Sequence, residues 1–239
     1  MSDPTGATTP TGTAEHGDRI GFLGRLRARL ATGIPANDAH PAPPPSLQVP
    51  PIGYRNLDHG DLVGSFVRAA TACGTVVHST DKALPDDEWL AALVAERSIE
   101  RAVLSEEPES AAVGAGLSRI GVEVAPSTST LASTADLGVT SARALVAATG
   151  SLLLRSDDTG TRSVSLLPRV HLCVVPVDRV VAHPADVLRV LAGRPDQLPS
   201  NLVLVSGPSR TGDIEQLITL GVHGPVAVHV VLTGRASAS

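Results

Sequence analysis

From about Ile52 onward the chain alternates two kinds of segment, and that alternation limits the fold more than any other feature. Short runs such as "GTVVHS", "ERAVLS", "VEVAPS", "RVHLCVVPV" and "NLVLVSG" are apolar almost throughout. Between them lie longer runs with apolar residues at helical spacing: "DLVGSFVRAATAC", "PDDEWLAALVAERS", "PESAAVGAGLSRIG" and "HPADVLRVLAG". A strand apolar on both sides must be covered on both sides, so the pattern predicts an α/β fold: a mostly parallel sheet with helices on both faces. Two more assignments complete it. "SARALVAATG" reads as a helix closed by Gly150 as its C-cap, and "SLLLRS", "DDTG", "TRSVSLLP" as a local β-hairpin turning at Asp157, Asp158 and Gly160.

Upstream of this domain, expected over residues 52–235, the composition changes. Residues 1–17 are Thr, Gly, Pro and Ala with little to bury, which reads as a disordered tail. Residues 18–31, "DRIGFLGRLRARLA", set Ile20, Leu23, Leu26 and Leu30 beside four arginines, a basic amphipathic helix suited to docking on its own domain or a partner. Residues 32–51 form a Pro-rich linker. The start has no basic n-region and no apolar h-region, so no secretory signal is expected. The longest apolar runs fall far short of the roughly 20 residues that cross a bilayer. These features predict a soluble cytoplasmic protein.

Composition narrows the function classes. Aromatic residues are only 2% of the chain and the formal net charge is −5. Base stacking needs exposed rings and phosphate backbones need positive charge, so no nucleic-acid partner is expected. The two cysteines, Cys73 and Cys173, are 100 residues apart with no C-x-x-C pattern. Two thiols cannot supply a four-cysteine iron–sulfur or zinc site, and each sits beside an apolar run as a small hydrophobe would.

The densest cluster of reactive side chains is "SGPSRTGDIEQLITLGVHGP", residues 206–225, led in by "NLVLV" and followed by "VAVHVVL". Gly207 and Gly212 have P-loop spacing, but Asp213 and Ile214 stand where Lys and Ser/Thr would hold phosphate and magnesium. "VGAGLSRIG" likewise fails as a dinucleotide fingerprint, because Arg119 replaces the third glycine and the stretch lies within a predicted helix. What remains is strand, Gly-Pro turn, then Thr211 as N-cap of a helix at the carboxyl edge of the sheet. There Ser209, Arg210 and Thr211 can donate to a small carboxylate or phosphate. The competing interpretation is a well-capped helix, with Asp213 and Glu215 as ordinary partners of its dipole. His223 precedes Gly224-Pro225 near the same rim. His171 and His229 lie within apolar strands and read as core residues. No H-x-x-x-H spacing and no G-x-S-x-G context is present, so neither a metal site nor a hydrolase triad is expected.

"ATGSLLLRS", "SLLPRVHLCVVPVDRVV" and "SGPSRTGDIEQLITLGVHGPVAVHVVL" together resemble the LUD domain family, and within it the lactate-utilisation C proteins. The basic N-terminal helix, the Pro-rich linker and "VPPIGYR" extend the resemblance. It implies a fold related to sugar-phosphate isomerases and CoA transferases. It also implies a part in oxidising L-lactate to pyruvate with two iron–sulfur partner proteins. The clusters would lie in those partners, leaving this chain an accessory subunit without a cofactor. Gly207, Pro208, Ser209, Arg210, Thr211, Asp213, Glu215, His223, Gly224 and Pro225 match the family motif. Ala148 stands where the family commonly has a carboxylate, and Gly212 where it usually has alanine. The resulting ligand-binding expectation is Gly207, Pro208, Ser209, Arg210, Thr211, His223, Thr149 and Gly150. Asp213, Glu215 and His223 are the candidates for acid–base work. The alternative is an independent isomerase or acyl-CoA transferase-type enzyme with Asp213 or Glu215 as its carboxylate. A third possibility is an interaction module whose motif only shapes the fold.

Overall fold

Six of the strand-like runs form one sheet in which every pairing is parallel. The computed structural model describes residues 57–155, 161–192, 199, 201–211, 219–221 and 223–234. The chain divides into two compact units, Met1–Gly53 and Tyr54–Ser239, and every described residue is in the second. The tail, basic helix and linker expected from sequence lie outside the described residues.

The six strands are β1 (Val76–Thr80), β2 (Arg101–Leu104), β3 (Glu123–Pro126), β4 (Leu137–Thr140), β7 (Val170–Pro176) and β12 (Ala227–Thr233). Their order in the sheet is β1-β12-β7-β4-β2-β3. Burial follows position: every residue of β4 and β12 is buried, whereas the edge strands β1 and β3 are not. One face is packed by α2 (Asp87–Arg97) and α3 (Pro108–Arg119), whose Leu90, Leu93, Val113 and Leu117 meet Leu137, Val139, Leu172 and Val231. The other face meets α1 (Leu62–Ala72) through Phe66 and Ala70, together with a second sheet. That second sheet has the order β8-β5-β6-β9, built from β8 (Val180–Val181), β5 (Ala144–Val146), β6 (Ser151–Arg155) and β9 (Leu202–Val205). Two short helices, α4 (Ser129–Ala132) and α5 (Thr161–Leu166), and α6 (Pro184–Ala192) complete the main elements. The Asp61 carboxylate caps α1 at Gly64 N and Asp86 caps α2 at Trp89 N, at the heads of two of the runs with helical spacing.

The local hairpin exists, but its arms are not the expected ones. β6 pairs antiparallel with β5, which precedes it, and residues 161–166 form a helix. The stretch ending at Gly150 is accordingly strand and turn instead of helix: Ala144–Val146 pair with Ser151–Leu153, and Ala147–Gly150 make the turn. Tertiary pairing overrides the helical spacing because Leu145 and Val146 can both be buried, one on each side of the strand. Gly150 does take the left-handed φ a C-cap would need, +65°. The demand comes from elsewhere. A Cβ at Gly150 would stand 2.2 Å from Ala70 N and 2.5 Å from Ala69 C, at the end of α1. Gly150→Ala therefore combines a clash with backbone and an unfavourable φ, for a cost of at least about 2 kcal/mol. The expected result is a melting temperature lower by roughly 5 °C; an unchanged value in thermal denaturation would refute this account of the turn.

Two histidines sit inside the parallel sheet, as their apolar context predicts. His171 on β7 and His229 on β12 are 0% and 4% exposed. His171 Nε2 shares a hydrogen bond with Thr140 Oγ1 at 2.8 Å, while its Nδ1 and His229 Nε2 are buried with no hydrogen-bond partner among the described residues. Burial pushes both imidazoles from the usual 6.5 down to about 4; protonation of His171 is further opposed by that of His229, and protonation of His229 by the Arg97 guanidinium. Folded, they stay neutral where the unfolded chain would protonate them. Stability is therefore level above about pH 6.5 and falls as pH drops toward 4, by roughly 3 kcal/mol for His171 alone. Urea unfolding midpoints at pH 7.5, 6 and 5 should decline in that order, and equal midpoints would contradict the buried-neutral assignment.

Candidate functional site

The cluster read from sequence as a ligand cradle is brought together in space, though not where the parallel-sheet rule places it. β9 belongs to the second sheet, where it runs antiparallel to β6 with Leu152 opposite Val205. Its carboxyl end therefore leads to the amino side of the parallel sheet. Ser209 N donates to Pro225 O, just ahead of β12, at 2.9 Å. Arg210 Nη2 donates to Cys73 O, just ahead of β1, at 3.1 Å. Gly207, at φ +86°, lies so close to the end of α1 that a Cβ would stand 2.3 Å from Cys73 O. The Thr149, Ser151 and Ser206 hydroxyls form a chain with both links at 2.7 Å. Gly224 packs on Ser209, with the exposed His223 beside it.

Thr149, Gly150, Gly207, Pro208, Ser209, Arg210 and His223 thus share one patch at the end of α1. Arg210–Thr211 form β10, paired antiparallel with β11 (Thr219–Leu220); the helix expected to start at Thr211 lies outside the described residues. Asp213 and Glu215 lie outside the described residues. Arg210 spends one donor on the last turn of α1, where a cation opposes the negative end of the helix dipole.

The crevice at the carboxyl ends of the parallel strands is built from residues that carry no local motif. From β2 the chain goes out to β3 on one side and returns to β4 on the other, so the connections diverge between β2 and β4. Ligands of open α/β sheets bind at such a switch point. A cleft of about 480 Å³ lies there, lined by Glu106, Glu107, Pro108 and Glu109 after β2, Ser141, Ala142 and Arg143 after β4, and Arg179 after β7. A volume of this size is in the range of small-molecule sites, about 300–1,000 Å³. A second cavity, about 380 Å³ beside β9 and α6, has a wholly aliphatic or prolyl lining and no group that could react.

Arg179 organises the cleft. Its Nη1 donates to Ser141 Oγ and to Ala142 O, each at 3.0 Å, and its Nη2 pairs with Glu109 Oε1. One guanidinium thereby ties together the loops that follow β2, β4 and β7. Glu109 lies in the first turn of α3, where an acid favours the helix start. Ser105 and Ser110 share a hydrogen bond of 2.8 Å beneath, and Ser105 Oγ also donates to Val139 O. Glu107, 8% exposed, forms a buried part of the wall, while Glu106 and Arg143 are exposed at the mouth. Beside the cleft floor, burial pushes the Cys173 thiol up to about 12, which leaves it unreactive at neutral pH. Together these groups can bind and orient a small polar molecule and can accept a proton at Glu107. Among the described residues, no set of three or more His, Cys, Asp or Glu side chains could hold a metal ion, and no helix is long and apolar enough to cross a membrane.

Nothing adjacent in sequence marks Glu106, Glu107, Ser141, Arg143 and Arg179 as one site. The usable signal is that Glu106, Glu107 and Arg179 follow closely on apolar runs expected to be strands. Arg179→Met keeps most of the side chain's bulk and removes all three ties. It should cost about 2 kcal/mol, seen as a lower melting temperature; no change would mean that the three loops hold without it.

Comparison with known proteins adds an independent line. The family model for the LUD domain matches residues 65–233. Lactate utilization protein C of Halalkalibacterium halodurans is 38% identical over 105 residues, which cover 42% of this chain and 46% of that protein. Its Bacillus subtilis namesake is 33% identical over 105 residues, covering 42% of this chain and 44% of that protein. The chain thus spans about half the length of the curated relatives it matches. The crystal structure of a DUF162 family protein from Deinococcus radiodurans superposes with a TM-score of 0.54 at 20% identity, over 74% of this chain and 99% of that one. That likeness speaks for the fold alone.

Proposed function

The chain belongs to the LUD domain family, and from that premise we propose that it is a non-redox component of an L-lactate utilisation system, working beside two iron–sulfur proteins that oxidise L-lactate to pyruvate. The observation that carries this reading is the 30–38% identity to relatives named lactate utilization protein C, spread over several bacteria. The chemistry of the chain supports the division of labour. Converting a 2-hydroxy acid to a 2-oxo acid releases two electrons and two protons. Four thiolates are needed to hold an iron–sulfur cluster by cysteine alone, and this sequence has two cysteines. Carboxylates, guanidiniums and hydroxyls such as those of the cleft bind, orient and move protons. The electrons would pass to clusters in the partners.

A second reading, an independent isomerase or acyl-CoA transferase-type enzyme, is favoured by one feature. Glu107 is a buried carboxylate facing the cleft, the kind of group such chemistry uses as base or nucleophile.

The deciding experiment is L-lactate-dependent reduction of an artificial electron acceptor by the two iron–sulfur partners, purified with and without this chain, with the chain alone as control. Activity that needs all three proteins is the expected result. Partners fully active without the chain would overturn the accessory reading. Turnover of acyl-CoA or sugar-phosphate substrates by the chain alone would favour the second one.

A further inference from the structure

We propose that β9 is a pairing edge between two copies of this chain: two β9 strands run antiparallel across a two-fold axis and join the second sheets of both copies into one. The inference does not depend on the lactate reading; it adds a partner, the chain itself.

The edge calls for a strand. β9 ends the order β8-β5-β6-β9, and among the described residues β6 is the strand paired with it. The outward backbone N–H and C=O groups of such an edge are a template for another strand unless the sequence blunts them. The other outer edges of the two larger sheets are blunted. β3 begins with Glu123 and ends with Pro126, β8 has two residues, and β1 carries His78, Ser79 and Thr80. β9 is Leu202, Val203, Leu204 and Val205, aliphatic throughout.

The surface beside that edge is self-complementary, which selects a second copy. Leu188 on α6 and Leu204 on β9 project from it, 59% and 48% exposed. The same two residues line the 380 Å³ cavity, with Leu153, Pro184, Val187 and Leu202. Projection and hollow thus lie on one face, as an isologous contact requires, so the leucines of each copy can fill the hollow of the other. The face also carries no charge that would repel its own copy. The cavity lining is uncharged, and on α6 Asp186 and Arg189 pair at 2.6 Å.

Side-chain alternation fixes the register. Val203 and Val205 pack inward against the parallel sheet, while Leu202 and Leu204 line the cavity on the outer side. Residues opposed in a continued sheet point to the same face, so a leucine of one copy must meet a leucine of the other. Centring the ladder on Val203 opposite its own copy does this, with Leu202 facing Leu204 of the second copy on both sides of the axis. β9 runs on into Ser206 and Gly207. Pairing on both edges would therefore fix the base of the loop that carries Ser209 and Arg210.

Light scattering on the full chain after size exclusion tests the proposal, together with amide hydrogen exchange. The chain should have the mass of a dimer, and exchange at residues 202–205 should slow as concentration rises. Leu204→Lys and Leu188→Glu should each raise the dimer dissociation constant at least about tenfold. Leu131→Lys, at a leucine 40% exposed on α4, should leave it unchanged. Far-UV circular dichroism checks that each variant folds; if Leu204→Lys does not, the more exposed Leu188→Glu decides. A monomer at every soluble concentration, a dimer indifferent to both charged substitutions, or exchange at 202–205 independent of concentration would each overturn the proposal. So would a monomer that binds an iron–sulfur partner through Leu188 and Leu204, which would assign the edge to that partner instead.

Discussion

Where the chemistry of this protein can sit is decided by the antiparallel pairing of β9 with β6. Sequence offers β9 as one more apolar strand, and an apolar strand between helices invites placement in the parallel sheet. Four residue pairs, from Leu152–Val205 to Arg155–Leu202, put it in the second sheet instead. The loop that follows is then delivered to the amino side of the parallel strands, against the end of α1. The Gly-Pro turn, Arg210 and the hydroxyl chain go with it. The carboxyl side is left to residues from three other loops. One pairing thus separates the most motif-like stretch of the chain from the crevice where ligands of such sheets bind.

Close backbone approach holds the second sheet in that position. Two turns, at Gly150 and at Gly207, press on the last turn of α1, and neither position has room for a Cβ. The aliphatic core makes this feasible. With aromatic residues at only 2% of the chain, the layer between the sheets is filled by Val, Leu and Ala, whose small volumes let elements approach closely. Gly138 does the same on β4, where a Cβ would stand 1.9 Å from Val164 O on α5. Glycines at such contacts trade conformational freedom in the unfolded chain for proximity in the folded one.

The parts of this fold legible in sequence are those set by local rules. Apolar runs marked the strands, helical spacing marked α1, α2 and α3, and the histidines in apolar runs are core. Gly150 was legible as a left-handed position but not as a hairpin turn, because the partner that excludes a side chain there, Ala70, is 80 residues away. Residues 144–146 are strand for the same reason, since pairing with Ser151–Leu153 outweighs the spacing within a segment, and with β5 as the partner of β6, residues 161–166 are left to form a helix. The pairing of Arg210 and Thr211 with Leu220 and Thr219 is a second contact that no local rule announces. The cleft was illegible altogether. Glu107, Ser141 and Arg179 come from three loops, and what unites them is strand order, which no single segment encodes.

That strand order also gives the cleft wall a second duty. Ser141 and Ala142, held by Arg179, are the covalent passage from β4 of the parallel sheet to β5 of the second one. Arg143 continues it and is fixed to β6 through the bond from its N to Leu153 O. The next strand pair leads to the turn at Gly150, and so to the end of α1. Between the cleft and the Arg210 patch there is accordingly a short hydrogen-bonded route: Arg179, Ser141–Arg143, β5–β6, Gly150. Beyond Arg179 it runs through backbone and through Leu145, Val146 and Leu152, which are fully packed. The two faces of the molecule that sequence and geometry separately single out are therefore mechanically joined, and the hairpin that joins them is the element sequence assigned least well.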